Sequence, residues 1–274
     1  KEVATMELGK IESTLFVPLR GRIYASENFP AILYDRKAIS LKEKLPENVF
    51  ENDRSGQYPL IASASRSANM DRYAKDFINR KVSGAIVQLG CGLETAFYRN
   101  DDGRTIWYEV DLPDVIAYRQ SLLPERKRDI YLASDAFSDE WILSIRKDLP
   151  KAPLLIMVGG LFHYFEKDRV IELMKMLQHF GDIEIVFDAV SKKGMAMMMK
   201  KYMKQVGHGD TKMFFYVDDA NELASQVGGS VFVLSEKPYY RKITKRGLKL
   251  SSKISMTLSD KFKMVKMIHM TLHS

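Results

Sequence analysis

The sequence contains a single cysteine, Cys91, in 274 residues. One thiol excludes any internal disulfide, so a reducing, cytoplasmic compartment is expected. No apolar run approaches the roughly 18 residues needed to span a bilayer, which argues against a membrane partner. The opening stretch, KEVATMELGK, lacks the apolar segment of a signal peptide. Internal repeats and low-complexity linkers are also missing. Acidic residues are scarce near the C-terminus, where much of the net charge of +7 collects: Lys237, Arg241, Lys242, Lys245, Arg246, Lys249, Lys253, Lys261, Lys263 and Lys266 have only Asp260 among them. This segment shows no repeated aromatic–basic alternation and no nucleic-acid motif. It reads as a solvated basic face, and no nucleic-acid partner is expected.

What remains, 46% hydrophobic and 28% charged residues, is the composition of an ordinary globular protein able to bury a large core. From about residue 82, short apolar runs at 85–89, 105–110, 129–133, 153–158 and 183–188 alternate with helical patterns near 113–122, 138–147, 166–179 and 191–205. Continuous apolar strands separated by helices predict a parallel sheet covered on both faces. Three later pieces, KMFFYV, SVFVLS and MIHMTL, read as β-like, with a short helix near 218–226. They are expected to add antiparallel edge strands. Residues 1–81 form a helical N-terminal extension, with helices in LYDRKAISLKEKL and SRSANMDRYAKDFINR separated by Pro46, Pro59 and a polar stretch at 52–56. The expected division is therefore 1–81 as a cap over the mouth of the sheet and 82–274 as the main domain.

The stretch IVQLGCGLET at 86–95 is a strand, a glycine turn and the start of a helix, the layout of nucleotide sites in α/β proteins. Gly90 ends the strand and Gly92 leaves room for close approach of a ligand. A dinucleotide fingerprint wants a third glycine three residues after Gly92, where this chain has Thr95, preceded by Glu94. An acid there is unfavourable beside a pyrophosphate, and no P-loop lysine follows. Asp111 ends the second strand nineteen residues after Gly92, where a carboxylate accepts both ribose hydroxyls of an adenosine. Capping the helix that opens at Pro113 is the rival role. After the third strand, Ser134-Asp135-Ala136 offers an acid for an adenine amino group, or an N-cap for a helix starting at Ser138.

VQLGCGLETAFYR, then WYEVDLPDVI, then an acid after the third strand together resemble the leucine carboxyl methyltransferase family. These are class I S-adenosylmethionine (SAM) enzymes, including protein phosphatase carboxyl methyltransferases and polyketide O-methyltransferases of the tetracenomycin type. The resemblance runs from about Ser65 through Val190 and lies nearer the polyketide branch. It implies a Rossmann-like, mostly parallel sheet with an antiparallel edge strand and a helical N-terminal extension. It also implies SAM as cofactor, S-adenosylhomocysteine (SAH) as product, no metal, and a small-molecule methyl acceptor. Arg66, with Asp71 and Phe77 continuing the family pattern, stands where the family binds the carboxylate of the methionine part. The remaining implied cofactor contacts are Gly90, Cys91, Gly92, Asp111, Leu112, Ser134, Asp135, Ala136 and Gly159, with Cys91 expected only to pack.

The chain departs from the family after the fourth strand. Where relatives carry Glu-Gly it reads Val158-Gly159-Gly160-Leu161-Phe162-His163-Tyr164-Phe165, so Gly159 replaces an acid that touches the cofactor. The pattern does not require His163, which is a candidate base or substrate contact or a packed histidine. Tyr164 matches the family's tyrosine and is the second catalytic candidate. A carboxylate acceptor needs only alignment, whereas a phenol with a pKa near 10 profits from a base. The stripe Met195, Met198, Met199, Tyr202 and Met203 reads as the buried face of an amphipathic helix, with a pliant lid as the other reading. Two rivals to methyl transfer are an NAD(P)-dependent oxidoreductase and a catalytically silent SAM-binding or interaction module.

Overall fold

A computed structural model of the chain describes residues 8–45, 48–51, 56–206 and 213–273. Ahead of the sheet stand α1 (Leu8–Asn28), α2 (Arg36–Leu41), α3 (Asn48–Glu51) and α4 (Gln57–Arg80). The alternating region follows as β1 (Ala85–Leu89), α5 (Ala96–Asn100), β2 (Ile106–Asp111), α6 (Pro113–Leu122), β3 (Asp129–Ala133), α7 (Glu140–Asp148) and β4 (Leu154–Val158). It continues through α8 (Lys167–Gln178), β5 (Ile183–Val190) and α9 (Lys192–Val206), then closes with α10 (Ala220–Val227), β6 (Ser230–Pro238), α11 (Leu250–Lys261) and β7 (Val265–His273).

The strands form one seven-stranded sheet in the order β3-β2-β1-β4-β5-β7-β6. β1 to β5 are parallel, β7 runs antiparallel to β5, and β6 antiparallel to β7. Chain order reverses between β1 and β4, and the crevice at the carboxyl ends of these strands is where α/β sheets bind ligands. Every residue of β1, β4 and β5 is buried, because helices cover both faces. Ala85, Val87 and Leu89 share one core with Trp141 and Leu173, and Ile86 points into the opposite core with Ala74 and Phe77 of α4. Met70, Ala74 and Phe77 recur on one stripe of α4, which holds that helix against the sheet. Among the described residues no helix is long and apolar enough to cross a membrane.

One helix was not placed individually from the sequence, and three expectations need correction. The unplaced helix, α1, runs through Pro18 and Gly21. Gly21 is in fact a contact point, since a Cβ there would lie 2.7 Å from Ser63 Cβ and from the Leu60 carbonyl of α4. Pro59 does not separate helices but sits in the first turn of α4, where its missing N–H costs nothing. KMFFYV forms no strand over its described residues 213–217. Phe214 N–H donates instead to the His163 carbonyl at 2.8 Å, and Val217 N–H to the Val190 carbonyl at 2.9 Å. The methionine stripe of α9 is not buried: Met198 is exposed and Met195 and Met199 are half-buried, while the Tyr202 and Met203 side chains lie outside the described ones.

Candidate active site

β1 delivers the chain into a turn where Gly90 and Gly92 both take positive φ, +68° and +49°. A side chain at either would be strained. At Gly90 a Cβ would also press on Leu161, 2.9 Å away. β2 places Asp111 beside this turn. Its Oδ2 accepts from the Gly92 N–H at 2.7 Å and its Oδ1 from the Leu112 N–H at 2.8 Å. Burial pushes the Asp111 carboxyl upward, while the two backbone donors oppose that shift. Leu112 precedes α6 and its side chain is exposed. Cys91 packs against Ile116 and Tyr131, and burial raises its thiol far above the usual range. Beneath the turn, the Arg119 guanidinium donates to the Gly92 and Glu94 carbonyls at 3.0 and 2.6 Å.

Glu94 does not present free charge to a ligand. Its carboxylate accepts from Ser67 Oγ at 2.7 Å and from the Thr95 N–H at 2.8 Å, and it pairs with Arg22 and Arg99 at 3.1 and 2.8 Å. Although burial opposes ionisation, these partners hold it well below the usual carboxylate range. The repulsion expected between Glu94 and a pyrophosphate is thus neutralised by two arginines that the sequence pattern did not connect to it.

At the end of β3, the Ser134 N–H donates to the Asp111 carbonyl at 2.9 Å, tying the two strand ends together. Asp135 is half-exposed: Oδ1 accepts from the Phe137 N–H at 2.9 Å, and Oδ2 pairs with Arg169 at 3.2 Å. It shapes this turn and does not cap a helix at Ser138, because α7 begins only at Glu140. Arg169 lies over the Phe137 ring at 4.4 Å and the Phe165 ring at 5.1 Å. Ala136 is buried, and its carbonyl accepts from Trp141 Nε1 at 3.2 Å.

The third element centres on a residue to which the sequence reading gave no role. Asp188, buried in β5, accepts from Arg66 Nε at 2.8 Å through Oδ2 and from the Gly160 N–H at 2.7 Å through Oδ1. The same Oδ2 faces His163 Nε2 at 3.2 Å. Burial alone would raise this carboxyl, but Arg66 and then His163 hold it well below the usual carboxylate range. Arg66 keeps about a quarter of its side chain exposed. Its terminal nitrogens lie over Gly160, where a Cβ would stand 2.7 Å from Nη1. Gly159 is crowded in the same way, with a Cβ position 3.2 Å from Arg66 Cδ. The acid absent at 159 is therefore matched by room taken up by Arg66, and Asp188 brings a carboxylate to this turn from the next strand. The signal in the sequence was the aspartate itself, an acid inside the apolar run IVFDAV. His163 is buried, and its Nδ1 has no hydrogen-bond partner among the described residues. Tyr164 is exposed on the same 3-10 turn, Phe162–Tyr164.

The crevice thus brings together a glycine cradle, a strand-end carboxylate at Asp111, and a guanidinium at Arg66. The profile of the leucine carboxyl methyltransferase family matches residues 22–178 of this sequence. The chain belongs to the leucine carboxyl methyltransferase family. The enzyme is a SAM-dependent methyltransferase, which displaces the dinucleotide alternative. It is 26% identical over 188 residues to the tetracenomycin polyketide synthesis O-methyltransferase TcmP of Streptomyces glaucescens, covering 68% of each chain. It is 25% identical over 250 residues to the SAM-dependent methyltransferase dpfgK of Gibberella zeae, covering 82% of this chain and 83% of that one. In fold it resembles a putative methyltransferase from Thermobifida fusca, with a TM-score of 0.58 at 13% identity over 93% of this chain and 94% of that one. The methyltransferase has groups of the right chemistry for its cofactor. Arg66 keeps part of its guanidinium exposed for a carboxylate, and Asp111 is a carboxylate acceptor for hydroxyls beside the glycine turn.

Proposed function

We propose that the enzyme methylates a hydroxyl oxygen of a small, polyketide-like aromatic acceptor, with His163 as general base. The observation that carries this reading is the His163–Asp188 pair at the carboxyl ends of β4 and β5. An ionised Asp188 accepts from Nε2–H, which leaves the lone pair of the imidazole on Nδ1, a buried atom with no partner among the described residues, which an acceptor reaches only if the side chains around it shift. That tautomer suits a base that takes a proton from a phenol. A carboxylate acceptor has no proton to lose and gives the pair nothing to do. TcmP, the bacterial relative, is named an O-methyltransferase, which supports the same class of acceptor atom.

In this reading Arg66 holds the carboxylate of the cofactor's methionine part and Asp111 the ribose hydroxyls. Asp135, with the backbone around Ser134 and Ala136, meets the adenine, and Gly159 and Gly160 leave the room that Arg66 occupies. Bound SAM supplies a methyl group on a positively charged sulfur. The chain's own part is then positioning and one proton transfer, with His163 accepting the hydroxyl proton as the oxygen becomes nucleophilic. Phe162, packed edge-on against Phe187 and Phe215, anchors in the core the turn that carries His163. Tyr164, exposed at the rim, is placed to contact the acceptor. The helices within 1–81 act as the cap, with α1 reaching the end of the glycine turn through Arg22 and α4 the turn after β4 through Arg66.

The test is methyl release from SAM over a panel of naphthols and phenols set against matched aryl carboxylates. Phenols are expected to be methylated and carboxylates ignored. His163→Gln is expected to lower kcat by about 100-fold while SAH binds as before. Methylation confined to the carboxylates would sink the proposal, and binding of SAH with turnover of nothing on the panel would favour the silent-module reading.

A further inference from the structure

A second cavity, of about 600 Å³, lies away from the cofactor crevice, between α4 and the β6–β7 end of the sheet. Its α4 residues Tyr73 and Arg80 stand seven and fourteen positions beyond Arg66, about 10 and 20 Å further along the helix. The size suits a small organic ligand, for which pockets of roughly 300–1,000 Å³ are usual. Its floor is apolar, made of the Tyr73 ring, Leu234, Met267 and Pro238.

The rim is cationic, with Arg72, Lys237, Arg241 and Lys242. The nearby acids are already engaged. Asp76 pairs with Arg80 at 2.8 Å, and Glu184 pairs with Arg80 at 2.8 Å and His269 at 2.9 Å. Among the described residues, no carboxylate forms an ion pair with any of the four rim cations. Arg72 is also fixed in place. Its Nη1 donates to Asn69 Oδ1 at 2.7 Å and its Nη2 to the Lys242 carbonyl at 2.8 Å. Burial pulls its guanidinium below the usual value, although neighbouring Asp71 opposes that shift. Lys237 stands over the Tyr73 ring at 5.8 Å, so charge and apolar floor adjoin.

We propose that this cavity binds a small amphiphilic anion, a carboxylate, sulfonate or phosphate ester carried on an apolar body, at a site separate from the cofactor crevice. The apolar body lies on Tyr73, Leu234 and Met267, and the anionic group meets Arg72, Lys237 and Arg241. Part of the basic C-terminal segment thereby acquires a specific role: Lys237, Arg241 and Lys242 form one side of a concave site. A concave, partly apolar site of this volume suits a compact ligand better than a polyanion backbone, which needs an extended open track of charge. Because α4 also carries Arg66, occupation of this cavity and of the crevice load the same helix.

The experiment is calorimetric titration of the full chain with naphthalene-2-sulfonate and with neutral 2-naphthol, each with and without saturating SAH. The sulfonate is expected to bind one-to-one, at least about tenfold more tightly than 2-naphthol, and to weaken with added salt. Saturating SAH should leave its stoichiometry unchanged. The double variant Lys237→Gln/Arg241→Gln is expected to weaken sulfonate binding by about tenfold. Leu234→Asp, at an exposed strand position, is expected to abolish it. Neither variant should alter Tm or SAH affinity. Displacement of the sulfonate by SAH, equal affinity for 2-naphthol, or unchanged binding by both variants would each overturn the proposal.

Discussion

Two buried charge clusters flank the glycine turn, and they are completed in different ways. Under α5, Asp35 accepts from Thr95 Oγ1, Arg99 and the Ala38 N–H, and Asp71 accepts from Arg99 and Asn100. Glu94 joins the same group through Arg22 and Arg99. All three carboxylates are engaged, and Arg99 touches each of them. Across the turn, Asp188 is equally well satisfied, but one of its partners, Arg66, stays partly exposed. Arg66 binds it through Nε with its terminal nitrogens over Gly160, and His163 keeps an unpartnered Nδ1. A cluster that satisfies itself holds a fold together. One that keeps part of a guanidinium exposed at a strand-end turn leaves room for something else to complete it.

The largest expected effect would come from opening the closed cluster. Arg99→Leu leaves Asp35, Asp71 and Glu94 buried without their shared cation, at a cost of about 3–5 kcal/mol. Tm is expected to fall by roughly 10 °C in a calorimetric scan. Asp188→Asn attacks the open cluster instead. It keeps the shape but removes the charge that orients His163 and Arg66. Here kcat is expected to drop at least about 100-fold, with Tm changed by only a few degrees. If Asp188→Asn collapsed the fold while Arg99→Leu mainly cost activity, the contrast between the two clusters would be inverted. Arg66→Ala and Asp111→Ala come next. Each removes one proposed ligand contact and is expected to weaken SAH by about 30-fold in equilibrium titration, with the fold intact.

How much of this was legible in the sequence depended on how local each signal was. The five parallel strands and the glycine turn could be read because apolar runs and paired glycines declare themselves within ten residues. Asp111 was found because its distance from Gly92 is set by one strand–helix–strand unit. α1 was not placed individually within the helical extension, and only contact with Ser63 of α4 explains its glycine. Glu94 was misjudged because Arg22 and Arg99 neutralise it across 72 and 5 residues of chain, and the pairing with Arg22 exists only once α1 is in place. Asp188 lay in a strand read correctly, but its role depends on Arg66, 122 residues earlier, and on His163, 25 residues earlier. The resemblance supplied a role for Arg66. It could not supply Asp188, because the family acid it points to is at 159.

Gly159 allows the finest test of the open cluster. Its backbone is not left-handed, unlike its neighbour Gly160 at φ +73°, so alanine brings no backbone strain there. The added Cβ would lie 3.2 Å from Arg66 Cδ and 3.8 Å from Met70 Cε. The first distance is tight, and the atom that must move belongs to a flexible stem, so Arg66 gives way by a few tenths of an ångström. A guanidinium held through Nε by Asp188 tolerates that shift at a cost of about 0.5–1 kcal/mol. Gly159→Ala is therefore expected to raise the SAH dissociation constant by about threefold, with Tm unchanged. A loss as large as that of Arg66→Ala would show that the stem has no slack and that the cluster is as rigid as the one under α5. No loss at all would mean that the cofactor does not depend on where Arg66 sits, and the open cluster would then serve His163 alone.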